Sequence, residues 1–440
     1  MIIENQKTIV AISTPAGIGG VGIIRISGKN SLFIAQKIFS EKYELIPRYL
    51  KNIKIKTDSV SDSAMAVYFK SPNSFTGEDV IELHCHGNYL LLTKIVEELI
   101  KSGANLAEPG EFTKRAFING KIDLSGAEGL IDLINAKSTS GINSALNQLN
   151  GGLANKIKKL QKELVFIIAD SSAAIDYPEE DLEEAEINKI TNNILPIIKK
   201  LEIFKNSFDT GRIIRDGVRV AIIGKPNVGK SLLLNRLLGF DRSIVTDTAG
   251  TTRDTIEENF NYKGIIFNLI DTAGLRNTNN EVEKLGIERS KNASETADIL
   301  LCVGTIDEPF DKNFVTNNKK TILIYNKIDL VKNTAKIYNK NSISVSALTC
   351  QNIDKLKDEL YNLSVGKIDA SGVYINNNRQ LTAVVGALEA LERVKNAKNI
   401  NLDCVISDLN HALYSLNTIT GAVALDEVVN EIFANFCVGK

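Results

Sequence analysis

The run Val218-Arg219-Val220-Ala221-Ile222-Ile223, followed at once by Gly224-Lys225-Pro226-Asn227-Val228-Gly229-Lys230-Ser231, decides the fold. A β-branched apolar run of this kind reads as a strand of a buried parallel sheet. The next eight residues fit G-x-x-x-x-G-K-[ST], and the helix-forming Leu232 to Leu238 follows. Strand, loop and helix is the context that a phosphate-cradling loop requires. Its glycines let backbone N–H groups close around phosphate oxygens, and the helix N-terminus adds partial positive charge. Lys230 is expected to reach the β- and γ-phosphates as a catalytic cation, and the Ser231 hydroxyl to ligate Mg²⁺.

Three more motifs follow in order. Ile265-Ile266-Phe267-Asn268-Leu269-Ile270 reads as a second buried strand and ends in Asp271-Thr272-Ala273-Gly274. The aspartate suits the Mg²⁺ water shell, and the Gly274 N–H suits the γ-phosphate. Thr321-Ile322-Leu323-Ile324-Tyr325 ends in Asn326-Lys327-Ile328-Asp329. The Asp329 carboxylate can accept two hydrogen bonds from guanine, a pair that adenine does not offer. Ile343-Ser344-Val345 leads into Ser346-Ala347-Leu348, where a backbone N–H can meet the guanine oxygen. Ligand sites of open α/β sheets lie at such strand ends. Between the first two motifs, Thr246-Asp247-Thr248-Ala249-Gly250-Thr251-Thr252-Arg253-Asp254 reads as a switch loop over the γ-phosphate, with Thr252 completing the Mg²⁺ shell. Many GTPases place a water-orienting Gln after the D-x-x-G glycine. Leu275 stands there, so Arg276, Glu281, Glu283 or a bound cation must supply the missing function.

Around this α/β module, from about 217 to 368, the texture differs. Residues 1–119 alternate short apolar runs with Gly, Ser and Pro, which predicts a small α+β domain with strands near 9–12, 22–26, 64–69 and 80–83. Helices are expected over 31–38 and 89–101. From 120 to 216 the pattern is helical: Leu153, Ile157, Leu160, Leu164 and Ile168 recur every three or four residues. A further helix is expected over 190–208. The acidic run from Asp176 to Asp181 reads as a solvated break. Helical spacing returns over 369–440 at Leu402, Val405, Leu409, Leu413 and Leu416. One helical domain interrupted by the α/β module is the expected arrangement.

The chain has 440 residues, 43% hydrophobic and 24% charged, the composition of a soluble multidomain protein. No apolar run approaches the ~18 residues that span a bilayer, so no membrane partner is expected. Cys85, Cys302, Cys350, Cys404 and Cys437 are scattered without a C-x-x-C pair, which argues against a disulfide framework and for a reducing cytoplasm. Net charge is −1. A protein that grips nucleic acid shows a basic excess, so RNA binding here needs a local patch or a partner's surface.

The chain resembles the MnmE (TrmE) family of bacterial and organellar tRNA-modification GTPases along its whole length. Within the α/β module the likeness rests on Gly250-Thr251-Thr252-Arg253-Asp254 and Asp271-Thr272-Ala273-Gly274-Leu275-Arg276. Outside it, Gly20 to Gly28, Ser74-Phe75-Thr76-Gly77-Glu78-Asp79, Pro109-Gly110-Glu111-Phe112-Thr113 and the terminal Cys437-Val438-Gly439-Lys440 carry it. The resemblance implies an N-terminal folate-binding and dimerisation domain, a discontinuous helical domain and an inserted Ras-like P-loop GTPase domain. It implies a tetrahydrofolate derivative, in 5-formyl or methylene form, held by Arg25, Glu82, Lys121 and Lys440. It implies K⁺ held by Asn227, Thr246, Thr248 and Thr251, and Glu283 as the water-positioning group. It also implies a homodimer, a flavoprotein partner of the MnmG (GidA) kind in a heterotetramer or larger complex, and a tRNA wobble uridine at position 34 as the modified base, carrying an aminomethyl or carboxymethylaminomethyl group at C5. Cys437 is a possible nucleophile or a packed helix end. The alternative to tRNA modification is a ribosome-assembly GTPase switch.

His84-Cys85-His86-Gly87-Asn88 departs from the glycine-rich stretch with one histidine that the family suggests. On one strand His84 and His86 share a face and Cys85 points away, so the three do not close a tetrahedral metal site.

Overall fold

The computed structural model describes residues 7–175, 182–239, 258–270, 295–308, 310, 320–330, 342–364, 372–397, 401–423 and 425–439. The acidic run from Asp176 to Asp181 lies outside them. The chain divides into two compact units, one of residues 1–131, 148–192 and 389–440, the other of residues 132–147 and 193–388.

The first unit is built on a six-stranded sheet. Its strands are β1 (Ile9–Ile12), β2 (Gly19–Ser27), β3 (Lys51–Lys56), β4 (Ser61–Phe69), β5 (Val80–Gly87) and β6 (Asn105–Leu106), in the order β3-β4-β5-β2-β1-β6. All neighbours are antiparallel except β1 and β6. The edge strand β3, Lys-Asn-Ile-Lys-Ile-Lys, buries Ile53 and Ile55 and turns its lysines outward. Charged side chains on such an edge discourage pairing with another chain. Helices α1 (Ser31–Gln36) and α2 (Tyr89–Lys101) pack on the sheet, α2 burying Leu92, Ile95, Val96 and Leu99. Asn88 caps α2, its side chain accepting from the Leu91 N–H at 3.1 Å. That local duty explains an asparagine at this position.

The same unit holds α3 (Glu111–Ile118), most of α4 (Leu124–Asn135), α6 (Gly152–Ile175), α11 (Leu402–Thr420) and α12 (Asp426–Ala434). Along α6 the large buried side chains are Leu153, Ile157, Leu160, Leu164 and Ile167. The stripe passes through Ile167 rather than Ile168 and on to Ser171, because a 3.6-residue turn drifts ahead of a strict four-residue step. Phe433 and Phe436 close a cluster with Leu124, Ala127 and Val429, against Phe117.

The second unit carries β7 (Val218–Ile223), β8 (Glu258–Tyr262), β9 (Ile265–Ile270), β10 (Ile299–Gly304), β11 (Lys320–Tyr325) and β12 (Ser342–Ser344), in the order β12-β11-β10-β7-β9-β8. Only β8 and β9 pair antiparallel. Every residue of β10 is buried, as a central parallel strand requires. Helices α8 (Lys230–Leu238) and α9 (Ile353–Ser364) cover the sheet, Leu233, Leu237, Leu356 and Leu360 meeting Val220, Phe267 and Leu301 in its core. Helices α5 (Thr139–Leu149), α7 (Leu182–Asp216) and α10 (Asn378–Lys395) run between residues of both units. β7 has β10 on one side and β9 on the other, so the chain order reverses there. Open α/β sheets bind ligands beyond the strand ends at such a switch point.

Truncating Phe433 to alanine removes a fully buried ring from a small cluster. Phe433→Ala is expected to cost roughly 3–5 kcal/mol, read as a lowered urea midpoint for the first unit.

Candidate functional site

At the end of β7 the chain turns through Asn227 (φ 63°) and Gly229 (φ 94°) into α8. Successive N–H groups in such a turn face one way and form an anion nest. Gly229 is required twice over: its backbone is left-handed, and a Cβ there would run into Asn326 Nδ2. Lys230 Nζ donates to the Gly224 and Lys225 carbonyls at 2.8 and 2.7 Å. Burial lowers its pKa. A phosphate in the nest would offer this desolvated ammonium a full negative charge in place of two carbonyl dipoles.

Asn326, 2% exposed at the end of β11, ties the site together. Its Nδ2 donates to the Val228 carbonyl at 2.9 Å, and its Oδ1 accepts from the Ala347 N–H at 3.0 Å. Lys327, with φ 62°, lays its Nζ 2.7 Å from the Asn227 carbonyl. Asp329 accepts a hydrogen bond from the Ser346 hydroxyl, which also accepts from the Thr349 N–H at 3.1 Å. Three segments separate in sequence therefore meet at the ends of three parallel strands. The Ala347 N–H is already given to Asn326, so a guanine oxygen would meet Leu348 or share the Ala347 donor.

Sequence reasoning missed Arg236. From the last turn of α8 its Nε donates to the Ala347 carbonyl at 3.0 Å and its Nη2 to the Leu348 carbonyl at 3.3 Å. The phosphate helix thus holds the loop expected to meet the base. Nothing in G-K-[ST] spacing marks this arginine; only the fold brings it to residue 347. Thr246, Asp247, Thr248, Ala249, Gly250, Thr251, Thr252, Asp271, Thr272, Ala273, Gly274, Leu275, Arg276, Glu281, Glu283 and Lys440 lie outside the described residues.

The first unit carries a second polar site. Arg25 on β2 and Glu82 on β5 are register partners, and the guanidinium Nε donates to Glu82 Oε1 at 2.9 Å. Arg25 Nη1 also donates to the Gly439 carbonyl at 3.3 Å, which the Ser13 hydroxyl reaches at 3.1 Å. Gly439 has φ 97°, and a Cβ there would strike the Ile12 carbonyl. Phe75 and Phe112 lie about 5.9 and 5.7 Å from the guanidinium. His84 Nε2, 3.5 Å from Glu82 Oε2, is sealed from solvent and has no hydrogen-bond partner among the described residues. Behind the pair, Ser27 donates to Glu78 at 2.7 Å, and the buried Arg115 joins Glu78 to Glu111 at 3.0 and 2.7 Å. Lys121 is exposed after α3, its Cγ against Gly77. Arg25 and Glu82 are thus brought together, and Phe75, Phe112 and His84 join them.

Cys85 faces the core, and burial pushes its thiol up to about 12, with Asp62 adding to the rise. His86 is exposed and bound to Asp62, whose Oδ2 also accepts the His86 N–H at 3.0 Å. The Cys437 side chain is exposed, one residue after buried Phe436, so it does not form the packed helix end.

A family model described as the MnmE helical domain matches residues 124–437, and one described as the GTP-binding protein TrmE N-terminus matches residues 8–121. The tRNA modification GTPase MnmE of Streptococcus thermophilus (strain CNRZ 1066) is 40% identical over 455 residues, covering 100% of both chains. The protein of that name from Streptococcus pneumoniae (strain Hungary19A-6) is 40% identical over 458 residues, again 100% of both. Its counterpart in Carboxydothermus hydrogenoformans is 40% identical over 459 residues, 99% of this chain and 100% of that one.

Arg236→Ala removes two charge-assisted hydrogen bonds that act on the base loop from behind. Affinity for GDP is expected to fall about 5- to 30-fold, on the order of 1–2 kcal/mol, measured by titration with a fluorescent nucleotide. Lysine at this position would restore only part, since it lacks the fork that reaches both carbonyls.

Proposed function

The chain belongs to the MnmE family of tRNA modification GTPases, and from that premise we propose that it hydrolyses GTP while modifying the wobble uridine of tRNA together with a flavin-dependent partner of the MnmG kind. The full-length 40% identity to tRNA modification GTPases carries the reading and supports it over the ribosome-assembly alternative. The proposed organisation is a folate-binding and dimerisation domain over 1–119, helical segments over 120–216 and 369–440, and a G domain over 217–368. No helix among the described residues is long and apolar enough to cross a membrane, and the reading implies a cytoplasmic enzyme.

The nest at Asn227 to Ser231, with the half-buried Lys230, suits a nucleoside di- or triphosphate and its Mg²⁺. Asp329 suits guanine, because its carboxylate would be left unpaired beside adenine. With leucine at 275, Glu283 is proposed to hold the attacking water. K⁺ at Asn227, Thr246, Thr248 and Thr251 is proposed to supply the charge that an arginine finger supplies elsewhere.

The pocket around Arg25 fits a tetrahydrofolate derivative in its donor set. Glu82 is a carboxylate for pterin N–H donors, Arg25 a cation for a glutamate tail, and the exposed Phe75 offers a ring face. The unpartnered His84 Nε2 adds a polar group beside Glu82. When bound, the folate would supply a one-carbon unit. The proposed homodimer and the MnmG-type partner bring the remaining chemistry.

GTP turnover measured in K⁺ and in Na⁺ at equal ionic strength tests the G-domain half. At least tenfold faster turnover in K⁺ is expected, and Glu283→Ala is expected to abolish that gain while nucleotide affinity holds. Equal rates in the two salts would remove the cation from the scheme. For the folate half, Arg25→Ala is expected to weaken 5-formyltetrahydrofolate binding at least tenfold by calorimetry, with GTP turnover unchanged.

A further inference from the structure

The residues of 155–166, Asn-Lys-Ile-Lys-Lys-Leu-Gln-Lys-Glu-Leu-Val-Phe, hold four lysines and one glutamate in a chain whose net charge is −1. They form the first half of α6. Its core face is Leu153, Ile157, Leu160, Leu164 and Ile167, so the lysines are left to the outer face. Lys156, Lys158, Lys159 and Lys162 are all exposed. Lys158 meets Asp123 at 3.5 Å, and no ion pair reaches Lys156, Lys159 or Lys162 among the described residues. The acids of α6 are already engaged, and so is one on α11. Glu163 is half-buried and engaged, Lys189 holds Asp170 at 2.7 Å, and Arg393 holds Asp408 on α11 at 2.8 Å. Three ammonium groups of this face are therefore left without a counter-charge among the described residues.

Phe166 stands one turn beyond Lys162 and is 71% exposed. It lies off the core stripe, so packing does not account for an aromatic ring there. Lys158, Lys159, Lys162 and Phe166 line an open groove of about 880 Å³ whose other wall is Leu413 and Asn417 of α11. Gln161 Nε2 donates to Asn417 Oδ1 at 3.0 Å and so fixes the groove floor. Lysines that track a backbone beside an exposed aromatic face are what a single-stranded or looped RNA uses: phosphates meet ammonium groups and an unstacked base lies on the ring. An acidic protein surface would use the lysines but has no base to stack on Phe166.

We infer that the groove between α6 and α11 is where this chain grips the sugar–phosphate backbone of its tRNA. The inference rests on the tRNA-modification reading and adds the surface through which this chain itself takes the RNA. Lys159, Lys162 and Phe166 recur every three or four residues, so they share one helix face about 10 Å long. That length serves two phosphates and one base.

The test is binding of an unmodified tRNA transcript with uridine at position 34 to the full-length protein, followed by fluorescence anisotropy over a KCl series. The K159Q/K162Q/F166A variant is expected to bind at least tenfold more weakly at low salt, with GTP turnover unchanged. The slope of log affinity against log salt is expected to fall by roughly 1.4–1.8, for two phosphates released. F166A alone is expected to weaken binding while leaving that slope intact. Wild-type affinity and slope in the triple variant would overturn the inference. So would failure of the wild-type protein to bind the transcript, or a loss of flavoprotein association with tRNA affinity intact. A triple variant that still supports modification and binding with the partner present would sink the groove alone. A wild-type protein that supports no modification with that partner would sink the underlying reading.

Discussion

The buried carboxamide of Asn326 is the constraint on which the nucleotide site depends. One side chain, 2% exposed, donates to Val228 and accepts from Ala347, so it fixes the distance between the phosphate nest and the base loop. A buried amide with either bond missing would cost the full desolvation of the orphaned group. The two hydrogen bonds therefore resist any change in the spacing of the two loops. Arg236 adds a second tie from the far end of α8, and Lys327 a third from the neighbouring residue. The site is preorganised by side chains that bind backbone, which leaves the backbone N–H groups of residues 227–231 for phosphate.

The polar site of the first unit is held by different physics. Arg25 and Glu82 face each other across antiparallel strands, and the ion pair is only partly shielded from water, so its Coulomb energy alone is modest. Its definition comes from what surrounds it: two ring faces, the Gly439 carbonyl and the Ser27–Glu78–Arg115 network beneath. Ser13 and Gly439 are 426 residues apart in sequence yet hydrogen-bonded. Closing so long a loop is costly in entropy, but the cost grows only slowly with length. Burial of Phe433 and Phe436 against Leu124 offsets it and carries the C-terminal residues to the sheet.

Much of this was legible in the sequence, and the limits have physical causes. The runs at 218–223, 265–270 and 321–325 are largely apolar and end in polar motifs, and strands form there, β11 beginning one residue earlier at Lys320, because their buried side chains are satisfied in the core of the sheet. β3 passes unnoticed because three of its six residues are lysine. Its signal is alternation, which a search for apolar runs passes over. The period of α6 is legible, with Ile167 in place of Ile168 within its buried stripe. Arg236, His84, Phe75 and Phe112 take part through tertiary contacts alone, so no spacing rule could have given their roles. Asn88 looked like a departure in a pocket, and the structure gives it an ordinary helix-capping duty.

Charge shows the same division between what composition reveals and what placement decides. A net charge of −1 argues against a protein that handles a polyanion, but a sum over 440 residues averages over surfaces that never meet the ligand. Screening confines exposed charges to a range of about 8 Å at physiological salt. Only the lysines within that distance of a phosphate matter to it, and an acid locked in an ion pair adds little field beyond its own neighbourhood. Four lysines within seven residues of α6, with nearby acids already paired, make a local potential that the total conceals. A balanced chain can therefore hold RNA on one helix face without the non-specific adhesion that a basic excess would bring.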